Sequence, residues 1–140
     1  MENLEERNDY IDIITTALIN IKTGTEAVEN LENEMQEKRS LIGAIYSKKK
    51  VEGFHVNAME KIQNELSIIH IKLEILKNKV IKDSKVVESF KQFNDFDNKY
   101  NMAKLVLLAQ IKKSQHINES LQAKVKSFII ENETYVAVGK

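Results

Sequence analysis

The side chains that could do chemistry in this sequence are few and far apart. His55, His70 and His116 are separated by 15 and 46 residues, and the chain has no cysteine. Neighbouring positions therefore do not assemble a metal-ligand set. Gly24, Gly43, Gly53 and Gly139 are scattered, so there is no glycine-rich phosphate loop and no nucleophile elbow. The acid pairs Glu32 with Glu34 and Asp95 with Asp97 lie two residues apart, and on a helix such positions point in different directions. Lys48, Lys49 and Lys50 form a small basic cluster with no interleaved aromatic platform, which reads as a solvated loop rather than a nucleic-acid site. The pattern points away from an enzyme and calls for no cofactor.

What remains is the chemistry of contact. Phe90 and Phe93 have the spacing of core anchors on a helix, and Phe96 follows in a polar patch. Tyr135 lies in the short alternating segment from Thr134 to Val138. It either recognises a partner, using its apolar ring and polar tip, or is a casual aromatic in a frayed tail.

The elements that would position such contacts are helical. The 140 residues contain no proline and few glycines, so the breakers that punctuate all-β chains are missing. The expectation is one all-α domain, with residues 131–140 a flexible C-terminal tail. The acidic N-terminus and the short aliphatic run Leu105 to Ala109 give no reason to expect membrane insertion, and a cytoplasmic protein is expected. Charge is balanced overall but segregated. Residues 1–37 carry ten acids against two bases, whereas residues 38–93 carry twelve bases against six acids. Packing the first segment beside the second would complement these fields and help set their register.

The most regular stretch is Met59 to Val80, where Met59, Ile62, Leu66, Ile69, Leu73, Leu76 and Val80 recur at alternating steps of three and four. Ile68, Ile71 and Ile75 make a second stripe on nearly the opposite side, and contacts to a first and a third helix would cover the two stripes. Before this stretch, Leu4 to Tyr46 keeps a helical rhythm whose phase slips near Thr23 to Glu26. A capping box there could restart the helix, although continuation through Gly24 is favoured. A loop is expected over Ser47 to Val56, a cap at Asn57 with Glu60, and a turn at Asp83 and Ser84 leading into a third helix from Lys85. The architecture read from this is an elongated antiparallel bundle of three long helices, or four if one breaks.

In that reading the central helix is about half as long as its neighbours. It leaves two apolar overhangs, Leu4 to Lys22 and Ile111 to Ile130, which must fold back, dimerise or hold another protein.

The stretch Asn98, Asn101, Leu105, Leu108, Gln110, Ile111, Leu121, then Thr134, Tyr135 and Gly139, resembles the C-terminal half of the FlgN family of flagellar export chaperones. Glu37, Lys38, Leu41, Ile42 and Ile45 are similar to a helical segment of the same family. Val136 departs from the glycine usual after the tyrosine. The resemblance implies a chaperone that binds the C-terminal helical region of hook-associated proteins, keeps them from polymerising early and delivers them to the export gate. It implies client contact by the segment containing Leu105, Leu108, Ile111, Ile117, Leu121, Val125 and Phe128, and contact of Tyr135 with the gate's cytoplasmic domain. Such a protein would act as a monomer or homodimer. The alternative is a homodimeric coiled-coil scaffold, or a helical adaptor, with no export role.

Overall fold

The computed structural model describes the backbone of residues 4–89 and 96–138, and within them the side chains of residues 11–89 and 99–133. Three helices, α1 (Leu4–Tyr46), α2 (Gly53–Glu88) and α3 (Phe96–Val138), pack against one another. No strand occurs among the described residues, and the chain is an all-α bundle. No helix is long and apolar enough, over the described residues, to cross a membrane.

A single rule places the core. On α1 the inward positions are Ile14, Ala17, Ile21, Gly24, Val28, Leu31, Met35, Lys38, Ile42 and Ile45; on α2 they include Met59, Ile62, Leu66, Ile69, Leu73, Leu76, Val80 and Val87. On α3 they are Tyr100, Leu107, Ile111, Ser114, Asn118, Leu121, Val125 and Phe128. All three sets advance by threes and fours, or by their sum, which averages 3.5 residues and is the period of helices packed in the manner of a coiled coil. Each fully buried Leu or Ile in these rows contributes about 1.5–3 kcal/mol.

Contacts between polar side chains fix the order in which the helices meet. Asn20 Nδ2 donates to Asp83 Oδ2 at 3.2 Å, and Lys38 pairs with Glu65, so rising numbers on α1 meet falling numbers on α2. Across α2 and α3, Lys104 Nζ donates to Ser84 Oγ at 2.9 Å, Gln115 Nε2 to Glu74 Oε1 at 2.6 Å and Gln122 Nε2 to Ser67 Oγ at 3.1 Å. Numbers again run in opposite senses. Across α1 and α3 they run together, with Gly24 against Leu107, Ser114 bonded to Glu32, and Tyr46 bonded to the Lys124 carbonyl.

α1 runs without interruption through Gly24, as the favoured reading had it. The reason for the glycine is proximity: a Cβ there would lie 3.1 Å from Leu107 Cδ2, so α1 and α3 approach most easily over a residue with no side chain. The loop between α1 and α2 is shorter than expected, because α2 starts at Gly53 after the N-cap Glu52. The cap signal read at Asn57 and Glu60 lies inside the helix. The imidazole of His55 does the capping, its Nδ1 accepting the Glu52 backbone N–H at 3.0 Å.

The turn expected at Asp83 and Ser84 is not there. α2 continues to Glu88, and both side chains are spent on neighbouring helices, Asp83 on α1 and Ser84 on α3. Phe90 and Phe93 lie outside the described residues, and α3 begins at Phe96 rather than near Lys85. With 36 residues against 43 in each neighbour, α2 is about 54 Å long rather than half their length. The overhangs largely disappear: Ile14, Ala17 and Ile21 at one end, and Leu121, Val125, Phe128 and Ile129 at the other, are buried. α3 also continues to Val138, through most of the segment expected to form a tail.

Candidate protein-binding surfaces

The eight residues singled out for partner contact fall into three groups. Ile111, Leu121, Val125 and Phe128 are in the bundle core, and Leu108 and Ile117 are half-buried against it. Leu105 is 58% exposed. Tyr135 lies in the last turns of α3, where the side chains are outside the described residues. The inward six share the face of α3 that meets α1 and α2; Leu105 points the other way.

Leu105 is not alone. Met102 and Val106, one turn before it and one residue after, are 63% and 56% exposed, and Ala109 continues the row. These residues sit about 120–220° from Ile111 around the helix axis, so the patch faces outward, opposite the core. Lys104 lies on the inner flank of the same turn and is tied to Ser84 and Glu88 of α2. That anchors the turn while leaving its outer face clear. Sequence reasoning missed Met102 and Val106 as surface residues because Leu105, Leu108 and Ile111 looked like one stripe. The signal was the phase of Leu107, the buried residue of that turn.

The polar run Lys112 to His116, which interrupts the apolar pattern, has a structural use. Ser114 and Gln115 are buried together with Asn118. Ser114 Oγ donates to Glu32 Oε1 at 2.9 Å, and Asn118 Nδ2 donates to the Leu66 carbonyl at 3.0 Å. With Gln115 on Glu74, these bonds form a polar layer through the middle of the bundle, joining α3 to both neighbours. Asn118 Oδ1 is buried with no hydrogen bond.

At the loop end, Tyr46 closes the seam between α1 and α3. Its hydroxyl donates to the Lys124 carbonyl at 2.9 Å, and its ring meets Phe128 edge to face with centroids 5.4 Å apart. Burial, with a smaller contribution from Glu131, raises the Tyr46 pKa. Beside it lies a shallow cleft of about 400 Å³ lined by Arg39, Ile42, Gly43, Tyr46, Leu121 and Lys124. A second cleft, about 300 Å³, lies between α1 and α2 and is lined in part by Asp12, Thr16, Asn20 and Val86. The first cleft carries the titratable side chains of Arg39, Tyr46 and Lys124, and the second those of Asp12 and Asp83.

The histidines are used separately. His55 caps α2, His70 is half-buried with its Nδ1 unbonded, and His116 is exposed. Among the described residues, no three His, Cys, Asp or Glu side chains are grouped to hold a metal ion. No protein-family model matches the chain, and no curated protein or solved structure matches it.

Proposed function

We propose that the chain is a binding protein that holds a helical segment of another protein, acting as a chaperone in flagellar type III export. In this reading the three helices form an elongated antiparallel bundle. The client is the C-terminal helical region of a hook-associated protein, the partner class implied by the resemblance to FlgN chaperones. The observation that carries the binding function is the outward patch Met102, Leu105 and Val106 on α3. Exposed large apolar side chains spaced three and four apart are what helix-in-groove or helix-on-helix recognition uses.

The client-contact surface is accordingly narrower than the one read from sequence. It centres on Leu105 and takes in Met102 and Val106, while Ile111, Leu121, Val125 and Phe128 hold the surface in place from inside. Tyr135, in the final turns of α3, is the contact to the export gate's cytoplasmic domain.

The test is a calorimetric titration of the chain with C-terminal helical peptides of hook-associated proteins, comparing wild type with Met102→Asp combined with Leu105→Asp. At least tenfold weaker binding is expected, with an unchanged far-ultraviolet spectrum. No binding by the wild type, or equal binding by the variant, refutes the proposal. Tyr135→Ala should weaken binding to the gate domain and leave client affinity unaltered.

A further inference from the structure

The second stripe of α2 has no neighbour among the described residues. Ile68, Ile71 and Ile75 are 52%, 58% and 61% exposed. They lie about 140–200° from Leu66 around the helix, on the side away from both α1 and α3. This face belongs to a different helix from the α3 patch and does not depend on an export role.

Its charges are sorted with unusual consistency. Lys61, Lys72, Lys79, Lys82 and Lys85 are all exposed on the outer half of α2, and none forms an ion pair with a described residue. The acids of the same stretch point inward or to the flanks and are already engaged: Glu65 with Lys38, Glu74 with Gln115, Asp83 with Asn20. The result is an isoleucine ridge, about 10 Å from Ile68 to Ile75, bordered by lysines, with the exposed Glu60 two turns before it as the outward carboxylate at its N-terminal end.

We infer that this face docks an acidic amphipathic helix of a partner protein, with the partner's apolar stripe on Ile68, Ile71 and Ile75 and its carboxylates against the flanking lysines. Charge decides among the possible occupants. Two copies of this chain joined ridge to ridge would bring five lysines against five, and such like-charge apposition opposes pairing. A lipid surface engages larger or aromatic side chains at the edge of an apolar face, and α2 carries no Phe, Tyr or Trp after Phe54, which lies about 20 Å from Ile68 along the helix. Nucleic acid has no use for a central isoleucine ridge. An acidic helix satisfies both components, with apolar contact at steps of three and four and complementary charge on each side.

The probe is a synthetic peptide of about three heptads carrying leucine at positions a and d and glutamate at e and g, whose like charges discourage self-pairing. A control peptide carries lysine at e and g. Binding is followed by calorimetry and by amide chemical shifts of the full chain. The acidic peptide should bind at least tenfold more tightly than the basic one, with shifts on the outer positions of residues 61–86. Ile71→Ser with Ile75→Ser, and separately Lys72→Glu with Lys79→Glu, should each weaken binding at least tenfold without loss of helicity. All four positions are exposed, so these variants fold. Equal affinity for the two peptides, shifts confined to α3, or indifference to both variants overturns the inference. So does a wild-type dimer abolished by the isoleucine variant, which would make a second copy the occupant. Co-sedimentation with phosphatidylglycerol vesicles, lost in the lysine variant, would assign the face to a lipid surface instead.

Discussion

Asn118 offers the sharpest test of how the core is assembled. Its side chain is fully buried at a position where the heptad rhythm of α3 calls for an apolar residue. It makes one hydrogen bond, from Nδ2 to the Leu66 carbonyl, and leaves Oδ1 without one. A net intramolecular hydrogen bond contributes about 0.5–1.5 kcal/mol, whereas an unsatisfied buried polar atom costs about 1–3 kcal/mol. The Leu66 carbonyl sits inside α2, where the helix supplies a backbone donor of its own. Asn118→Leu keeps the branching and replaces both amide atoms with methyl groups. The lost bond is smaller than the recovered desolvation, so the variant should be more stable by about 1 kcal/mol.

Two companion substitutions fix the sign. Asn118→Ala removes contacts and leaves a void, and should destabilise by about 1–2 kcal/mol. Asn118→Asp buries an unpaired charge and should cost about 3–5 kcal/mol. Urea denaturation with a shared m-value measures all three. The stabilised variant should also lose definition, because a lone buried amide selects one register of α3 against its neighbours; narrower amide dispersion with broadened lines, or dye binding, would reveal this. If Asn118→Leu lowers stability by more than about 1 kcal/mol while the fold is intact, the amide is a net source of stability and the reasoning fails.

Other perturbations discriminate the same packing. Leu73 is fully buried and Ile71 is 58% exposed, so Leu73→Ala should cost about 2–5 kcal/mol and Ile71→Ala within about 0.5 kcal/mol of nothing, as read from urea midpoints. Tyr100 is buried, and burial followed by the fields of Asp83 and Glu88 raises its pKa to about 12. Folding therefore favours the neutral phenol: that contribution is complete below the unfolded value near 10 and is lost as pH rises toward about 12. Tyr100→Phe should flatten this alkaline loss in a pH series of urea midpoints. Gly43 has open space where a Cβ would be, so Gly43→Ala should stabilise by up to about 1 kcal/mol, while Gly24→Val should destabilise by forcing α1 away from Leu107.

Much of the fold was legible because α2 carries large apolar residues at most of its core positions from Met59 to Val80. The neighbouring helices hide the same rhythm. On α1 the core takes small residues at Ala17 and Gly24, so counting large side chains selected Leu18, which is 41% exposed, and produced a false slip of phase. On α3 two consecutive core positions are polar, Ser114 and Asn118, and the stripe seemed to thin where it is best bonded. Asp83 and Ser84 read as a turn because such residues favour turns locally. Val80 and Val87, one heptad apart and both buried, were the evidence that α2 passes through them.

The isoleucine stripe was misjudged for a geometric reason. A helix apolar on opposite faces invites the expectation of a neighbour on each. In a triangular bundle, however, the two neighbours of any helix lie within the same half of its circumference. The contacts of α2 obey this: Glu65 and Asp83 face α1, Ser67 and Glu74 face α3, and Ile68, Ile71 and Ile75 are left outside. Three helices alone cannot cover both stripes.

The same packing limits how a client could be held on α3. Reaching Ile111, Leu121, Val125 and Phe128 would require α3 to leave its neighbours, and four such side chains represent about 6–12 kcal/mol of burial. That is comparable to the whole stability of a typical domain, about 5–15 kcal/mol. A client helix could replace it only by matching the heptad face and also satisfying Ser114, Gln115 and Asn118, whose present partners come from α1 and α2. Met102, Leu105 and Val106 require no such exchange. Binding through them should leave the amide protection of Leu107 and Ile111 unchanged or raised, because the inner face stays packed when the outer one is covered. Hydrogen exchange with and without client distinguishes the two modes. Loss of protection along 107–129 on binding would mean that the bundle opens and that the buried residues, not the exposed ones, make the contact.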